Sequence, residues 1–475
     1  MEYSEQEQVV EGKAQAVDLQ DDYWHVNAGD EKVHASRIKG RFRTYKWLTA
    51  SLWLFYFFGP YVRWDGHQAV LFDIVNRKFH IFSITLWPQD VWMLSLALIF
   101  LALTLFVTTA IAGRIFCGYF CFQTVWTDVF TFIEDKLEGP PSKRRKLDAA
   151  PWTGRKILIK IVKHTLWIVI AVLTGVTFGA YFADAHWLWV QYLTLKAPLV
   201  AWLTLLFFVV CTYVFAGFMR EQVCFWLCPY ARIQGVMYDP ETILPTYDKK
   251  RAEPRSRLKK GQKSEDFGDC VDCNLCVAVC PTGIDLRHGQ QEGCITCGLC
   301  IDACDSIMDK VNRPKGLIRY ASLDEMEGKP KVKLFTRPRV IIYVSVLFVA
   351  FTGILYGLMN LGAMSVSVLH ERQPLFVRLS DGSIQNKYII KVVNKAERKL
   401  NVSIDVEGLE GMEMAGKKSL TSIPKGKVLP ITVFLKVPLS TLTKSINSIF
   451  FKVSDSEDPN ISSKYKSMFM GPKID

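Results

Sequence analysis

Between Cys270 and Cys304 the chain reads CVDCNLCVAVCP and then CITCGLCIDAC, so eight of its thirteen cysteines fall in two CxxCxxCxxxC runs. Thiolates repeated at this spacing can supply three corners of an iron–sulfur cube, and in two-cluster arrangements the fourth cysteine of each run ligates the other cluster. On that rule Cys270, Cys273, Cys276 and Cys304 hold one [4Fe-4S] cluster, and Cys294, Cys297, Cys300 and Cys280 hold the second. The alternatives are structural zinc, which favours two CxxC pairs, and disulfides, which the regular spacing disfavours. Pro281 and Gly283 follow the first run, as a ferredoxin pattern expects, and Asp305 stands where the second run would carry a proline.

A second thiol system lies apart from the first. Cys117 and Cys121 in RIFCGYFCFQ, and Cys224 and Cys228 in REQVCFWLCPYARIQ, share CxxxC spacing, which on a helix puts both sulfurs on one face. Each pair follows an arginine, Arg114 or Arg220, and precedes a glutamine, Gln123 or Gln234, a weak internal repeat that would gather four thiols. Soft thiolates suit Cu(I), zinc or iron–sulfur centres, and paired thiols can also cycle to disulfides. The plainer alternative is that they pack helices as small apolar groups. That is the reading for Cys211 inside a span.

The elements that position these thiols are read from hydropathy. The chain has 475 residues, 50% of them hydrophobic and 13% aromatic, with a net charge of +12. Spans are expected at Trp47–Val62, Phe82–Ala112, Ile157–Ala183, Leu199–Phe218 and Val340–Leu361, the second with an interfacial piece over Phe79–Trp87 ahead of Pro88. Lys and Arg concentrate before the first span, at Arg37, Lys39, Arg41, Arg43 and Lys46, and between the second and third. The positive-inside rule then places the N-terminus and the cysteine runs in the cytoplasm and the C-terminal segment outside. No cleavable signal peptide is visible, so the membrane is the bacterial inner one.

The expected domains are a polar tail over 1–45, a membrane domain over 46–218 and a ferredoxin-like two-cluster domain over 219–339. A fifth span over 340–362 and an outer domain over 363–475 follow. Within the ferredoxin-like domain the basic run 249–263 reads as a contact with anionic lipid rather than nucleic acid, because no aromatic interleaving accompanies it. Lys160 and Lys163 can snorkel, His164 reads as packing, and Asp184 and His186 lie near a span end. From Pro374 onward, alternating runs such as YIIKVVN, LNVSIDV and LPITVFLKV, separated by turn residues, predict an immunoglobulin-type β-sandwich without cysteine. Met412 and Met414 are only a faint signal of thioether ligands there.

Five spans, two CxxxC pairs, a doubled ferredoxin run and an external sandwich in this order resemble the FixG/CcoG/RdxA family, as do GHQAVLFDIVNRKFHIF and CGYFCFQTVWTDVF. The resemblance implies an accessory protein for assembling cbb-type cytochrome oxidase that reduces Cu(II) to Cu(I). Its partners would be oxidase assembly factors, copper chaperones and an unidentified electron donor. It also implies copper at Cys117, Cys121, Cys224 and Cys228. Members carry CxxxCP in both pairs, and Phe122 here replaces the first proline. A quinol dehydrogenase subunit of the NapH type and a non-catalytic assembly scaffold are the other readings.

Overall fold

Apolar runs bounded by Gly, Pro and charged clusters resolve into helices of bilayer length. The computed structural model describes residues 33–472 except 65, 88–89, 258–266, 331–335, 360–361, 397, 417–420 and 443. Most of the expected N-terminal tail and Lys259, Lys260 and Lys263 of the basic run lie outside the described residues. The chain divides into two compact units, Met1–Ile354 and Leu355–Asp475.

The first unit opens with α1 (Arg41–Ser51), continued by short helical turns to Tyr61. Then come α2 (Val91–Ala112), α3 (Ile115–Tyr119), α4 (Phe122–Leu137) and α5 (Pro141–Ala149). They are followed by α6 (Gly154–Ala180), α7 (Ala185–Leu193) and α8 (Leu199–Val214), the last continued by a π-helical turn to Met219. Among the described residues four helices are long and apolar enough to cross a membrane: α2, α6, Leu199–Met219 and, later, α12 (Pro338–Met359). At 1.5 Å per residue α2 is about 33 Å long, close to the hydrocarbon thickness of a bilayer. It leaves Leu94, Leu98, Ile99 and Leu101 exposed, as lipid contact requires.

The expected first span is instead a helical run broken after Ser51 and again at Gly59 and Pro60, below the length of the others. The expected second span begins later than Phe82, because residues 63–86 fold into two small antiparallel sheets. One pairs β1 (Arg63–Trp64) with β2 (His67–Gln68), and the other orders β3 (Val70–Asp73), β4 (Lys78–Ile81) and β5 (Ile84–Leu86).

Lys160 and Lys163 do not snorkel to lipid. Lys163 Nζ lies 2.9 Å from Glu138 Oε1 and 3.5 Å from Glu134 Oε1, and Lys160 Nζ lies 2.8 Å from Glu138 Oε1. Arg144 of α5 and Arg220 also reach Glu134, at 3.1 and 2.8 Å. Buried charges persist only when paired, and this network pins α4 to the near end of α6. His164 packs against Trp167 and Phe218, with Nδ1 3.0 Å from the Tyr213 hydroxyl.

The cysteine-rich module is closed by β6 (Leu244–Tyr247) pairing antiparallel with β7 (Ile318–Ala321). Between them, α9 (Pro229–Met237) having come before, lie α10 (Leu275–Ala278) and α11 (Leu299–Lys310). Leu286, Ile301, Met308, Leu317 and Ile318 form its core together with Phe42 of α1.

In the second unit the period-two runs form two antiparallel sheets. Four strands order as β12 (Glu413–Gly416), β14 (Val428–Val437), β10 (Ile384–Asn394) and β8 (Met364–His370), with β9 (Val377–Arg378) also on β10. The facing sheet orders as β13 (Thr421–Ile423), β11 (Leu400–Glu407), β15 (Ile446–Asp455) and β16 (Ser462–Met470). Ile390, Val392, Val433, Leu435, Ile449, Phe451 and Phe469 fill the space between. Met412 and Met414 pack against this core, so they are not displayed as a ligand pair.

Candidate metal and electron-transfer centre

The two cysteine runs wrap alike because their loops use the same backbone device. Asp272 and Asn274 in CVDCN, and Thr296 and Gly298 in CITCG, all have φ between 49° and 70°. Asn, Asp and Gly tolerate this left-handed region, whereas β-branched Thr296 is strained there. Thr296 is held by its neighbours: its Oγ1 accepts the Arg114 N–H at 3.1 Å and its carbonyl accepts the Tyr320 hydroxyl at 2.7 Å. In the first loop, Arg287 donates to Asp272 at 2.7 Å and to Asn274 at 2.6 Å, and is itself clamped by Asp285.

The loops shape two small cavities of about 20 Å³ each. One is walled by Cys270, Cys273, Cys276 and Cys304 with Leu317 and Ile318. The other is walled by Cys280, Cys294, Cys297 and Cys300 with Ile284, Leu286 and Leu299, and Cys276 borders it as well. Burial and neighbouring thiols push Cys294 and Cys304 up to about 12, so the metal-free groups hold their protons. Four thiols converging on an apolar void fit an iron–sulfur cluster, whose charge would displace those protons.

Cys117, Cys121, Cys224 and Cys228 are brought together within electrostatic reach of one another. The pairs do not lie on continuous helices. Cys117 lies in α3, but Cys121 is the N-cap of α4; Cys224 lies in a π-helical turn, but Cys228 is the N-cap of α9. Both caps are extended, with ψ of 129° and 107°, the conformation a following proline demands. Pro229 occupies the first helical position after Cys228, and Phe122 occupies the matching position after Cys121. Phe122 therefore leaves the backbone intact and stacks on Trp126, with ring centroids 4.3 Å apart.

The internal repeat is physical, because its parts cross over. Gln123 donates to the carbonyls of Phe215 and Arg220 at 2.8 and 3.1 Å. Gln234 accepts from the Cys117 thiol at 3.4 Å and donates to Thr109 at 3.1 Å. The backbone equivalences differ from the sequence reading, which pairs the arginines. Gly113 (φ 56°, ψ −134°) and Arg220 (φ 46°, ψ −113°) both stand four residues before a pair and share one conformation. That conformation is close to glycine-only, so Arg220 is strained, and its carbonyl and guanidinium contacts hold it there. Arg114 instead reaches across to the Ala231 carbonyl.

Burial drives Cys117 and Cys224 up to about 12, with the other thiols adding to the shift and Arg114 opposing it. Cys121 is also raised by burial, although the Gln123 and Thr124 amides at the α4 N-terminus counter it. This quartet abuts the second cysteine cavity. A Cβ on Gly118 would strike the Ile295 carbonyl oxygen and come within 3.1 Å of the Cys297 Cα. Cys117 and Cys121 pack with Ile295, Cys297 and Leu299, and the Tyr119 hydroxyl donates to the Cys297 carbonyl at 3.0 Å. Gly118, Tyr119 and Thr296 were not singled out by spacing; the glycine inside CGYFC was the only signal. Cys211 sits in α8 and takes no part in this centre.

Of the basic residues that cluster before the first expected span, Arg37, Arg43 and Lys46 converge on Asp128 at 2.9 to 3.1 Å. Arg251 of the basic run is likewise engaged, by Asp269 and by carbonyls of Pro314 and Lys315.

The signature of a 4Fe-4S dicluster domain matches residues 219–323, and a further 4Fe-4S binding domain matches 94–140, a stretch containing Cys117 and Cys121. The immunoglobulin-like fold found at the C-terminus of FixG matches 354–472. The nitrogen fixation protein FixG of Rhizobium meliloti is 40% identical over 453 residues, 86% of each chain. Protein RdxA of Cereibacter sphaeroides is 39% identical, covering 90% of this chain and 94% of its own. A FixG-related protein of Vibrio parahaemolyticus, known from a crystal structure, is 25% identical over 23% of this chain and 97% of its own, with a TM-score of 0.21.

Proposed function

The chain belongs to the FixG/RdxA family, and from that membership we propose that this membrane iron–sulfur protein reduces Cu(II) to Cu(I) during assembly of a cbb-type oxidase. The observation that carries the proposal is the backbone contact at Gly118, which sets the four-thiol group against the second cysteine loop. Cys270, Cys273, Cys276 and Cys304 would hold one cluster, and Cys280, Cys294, Cys297 and Cys300 the other. When bound, such clusters store and release single electrons, and Cu(II) to Cu(I) is a one-electron step.

Cys117, Cys121, Cys224 and Cys228 would bind the copper substrate, and their softness favours the Cu(I) product. Binding must displace thiol protons, since burial keeps Cys117 and Cys224 protonated when metal-free. Gln234 fixes the Cys117 sulfur, and the first amides of α4 turn toward the Cys121 sulfur. By the distribution of Lys and Arg, the cysteine centre faces the cytoplasm and the C-terminal sandwich the periplasm of the inner membrane.

The test is anaerobic Cu(II) reduction by the cluster-reduced full-length protein. Changing the four cysteines to serine should abolish copper reduction while iron–sulfur absorbance persists; undiminished reduction overturns the assignment. Metal analysis accompanies it. About eight iron atoms per chain correspond to two clusters, and about twelve would transfer the quartet from copper to iron.

A quinol dehydrogenase is the second reading. It is favoured by an apolar groove of about 370 Å³ between α1, α4 and α6, lined by Trp47, Trp53, Phe57 and Trp126. Reduction of the clusters by added menaquinol would select it.

A further inference from the structure

Two histidines outside the cysteine centre stand ring against ring. His67 of β2 and His80 of β4 have ring centroids 4.6 Å apart and planes inclined by 33°. They come from different sheets, which the backbone ties together: Ala69 N–H donates to the Val62 carbonyl at 2.8 Å, and Phe82 N–H donates to the Ala69 carbonyl at 2.6 Å. Gln68, buried beside His67, anchors the assembly to the far end of α6 by donating to the Ala180 carbonyl at 2.7 Å and accepting the Ala185 N–H at 3.2 Å. His67 Nδ1 lies 3.1 Å from the Gln68 carbonyl, which can only accept, so the proton sits on Nδ1 and the lone pair on Nε2. His80 Nδ1 lies 3.0 Å from Oγ1 of Thr85, its cross-strand partner. At His67 the engaged Nδ1 orients Nε2 for metal, and at His80 the threonine contact fixes the plane of the ring.

We propose that His67 and His80 form a second, thiol-free copper site that binds Cu(II). Two imidazole nitrogens in adjacent corners of a square plane, each about 2.0 Å from the ion, put their ring centres about 4.5 Å apart. The observed separation matches. A haem iron would instead need the rings on opposite faces, with centres about 6 Å apart. Imidazole is a good ligand for Cu(II), which binds nitrogen donors more tightly than the other divalent first-row ions. Both side chains are half-buried, so the site is open to solvent. It lies at the β5 end of α2, whereas the thiols follow the other end, about 33 Å away at 1.5 Å per residue. As a capture site for the substrate it rests on the reductase reading; as a binding site it does not.

The test uses the full-length protein with Cys117, Cys121, Cys224 and Cys228 changed to serine, so that bound copper stays Cu(II). One equivalent of copper sulfate is added under air, and electron paramagnetic resonance is recorded after gel filtration. The expected result is a protein-bound Cu(II) signal with splitting from two nitrogens. His67→Ala or His80→Ala alone should leave one nitrogen and weaken binding at least tenfold, and the double variant should lose the signal. Each variant must keep its iron–sulfur absorbance; His67→Asn and His80→Asn replace any alanine variant that does not. A two-nitrogen signal persisting in the double variant, or no bound Cu(II) with both histidines present, overturns the proposal. Loss of copper reduction in the serine background leaves this signal untouched, so the two readings fail separately.

Discussion

At Gly118 the first thiol turn meets the second cysteine loop with no side chain between them, and any Cβ would collide with the Ile295 carbonyl. Backbone cannot retreat as a flexible side chain can, so Gly118→Val should destabilise the first unit by about 1–3 kcal/mol. It should also slow copper reduction more than it lowers iron content, which stopped-flow reduction and iron analysis would separate. The neighbouring substitution works in reverse. Phe122→Pro restores a residue that the extended Cys121 backbone already accommodates, at the first helical position, where no amide partner is needed. Its expected cost is the lost ring contacts on Trp126 and Trp53, about 1–2 kcal/mol, with copper reduction preserved. Both effects come from backbone geometry that spacing alone does not reveal. The CxxxC pattern suggests one helical face, yet Cys121 and Cys228 each cap a new helix, and the break turns both sulfurs into a shared space. The CxxCxxC loops were easier to read because their ligand spacing and their left-handed Asn and Gly positions are local, although the contacts that hold them, from Arg114, Arg287 and Tyr320, are not.

Helix α1 is an element whose role depends on partners far along the chain. The carboxylate of Asp302, between Cys300 and Cys304, accepts the N–H groups of Phe42 and Arg43 at 2.9 and 3.2 Å and so caps the helix. Asp128 of α4 gathers Arg37, Arg43 and Lys46. Burial alone would raise the Asp128 pKa, but the three cations override it and hold the group well below the usual carboxylate range. Because the folded value is depressed, the stabilisation is complete above the unfolded carboxylate value near 4 and is lost only as pH falls through the depressed value. Protease resistance of the 33–46 segment should therefore stay constant between about pH 7 and 5. Asp128→Asn should lower it throughout that range and cost roughly 3 kcal/mol, by leaving buried cations unpaired. The sequence shows these residues only as a basic cluster that sets orientation, because an acid 82 to 91 residues away leaves no local trace. The same blindness hid the glutamate partners of Lys163 and the small sheets over 63–86, whose strands are two to four residues long.

On the scale of the whole molecule, long-period signals proved the most legible: four of the five expected apolar spans, a doubled cysteine module and an alternating C-terminal segment are found, the second span starting later than its pattern. Strands β8, β12 and β13 escaped notice because two of them are short and β8 precedes the turn signals used to mark the domain. The second unit closes its own core. Tyr388, Ile390, Leu435, Phe451 and Phe469 are fully buried, and the Tyr388 hydroxyl donates to the Met468 carbonyl of the facing sheet at 2.9 Å. A domain with this complement needs neither lipid nor metal to fold. Residues 363–475 expressed alone should unfold in one cooperative thermal transition followed by near-ultraviolet circular dichroism. Tyr388→Ala should cost about 3–5 kcal/mol, because it opens a cavity between the sheets and strands a carbonyl. Tyr388→Phe keeps the ring and loses only the hydrogen bond, so it should cost about 1 kcal/mol. Equal losses in the two variants, or a broad non-cooperative transition in the unmodified domain, would mean that the sandwich depends on the rest of the chain for its stability.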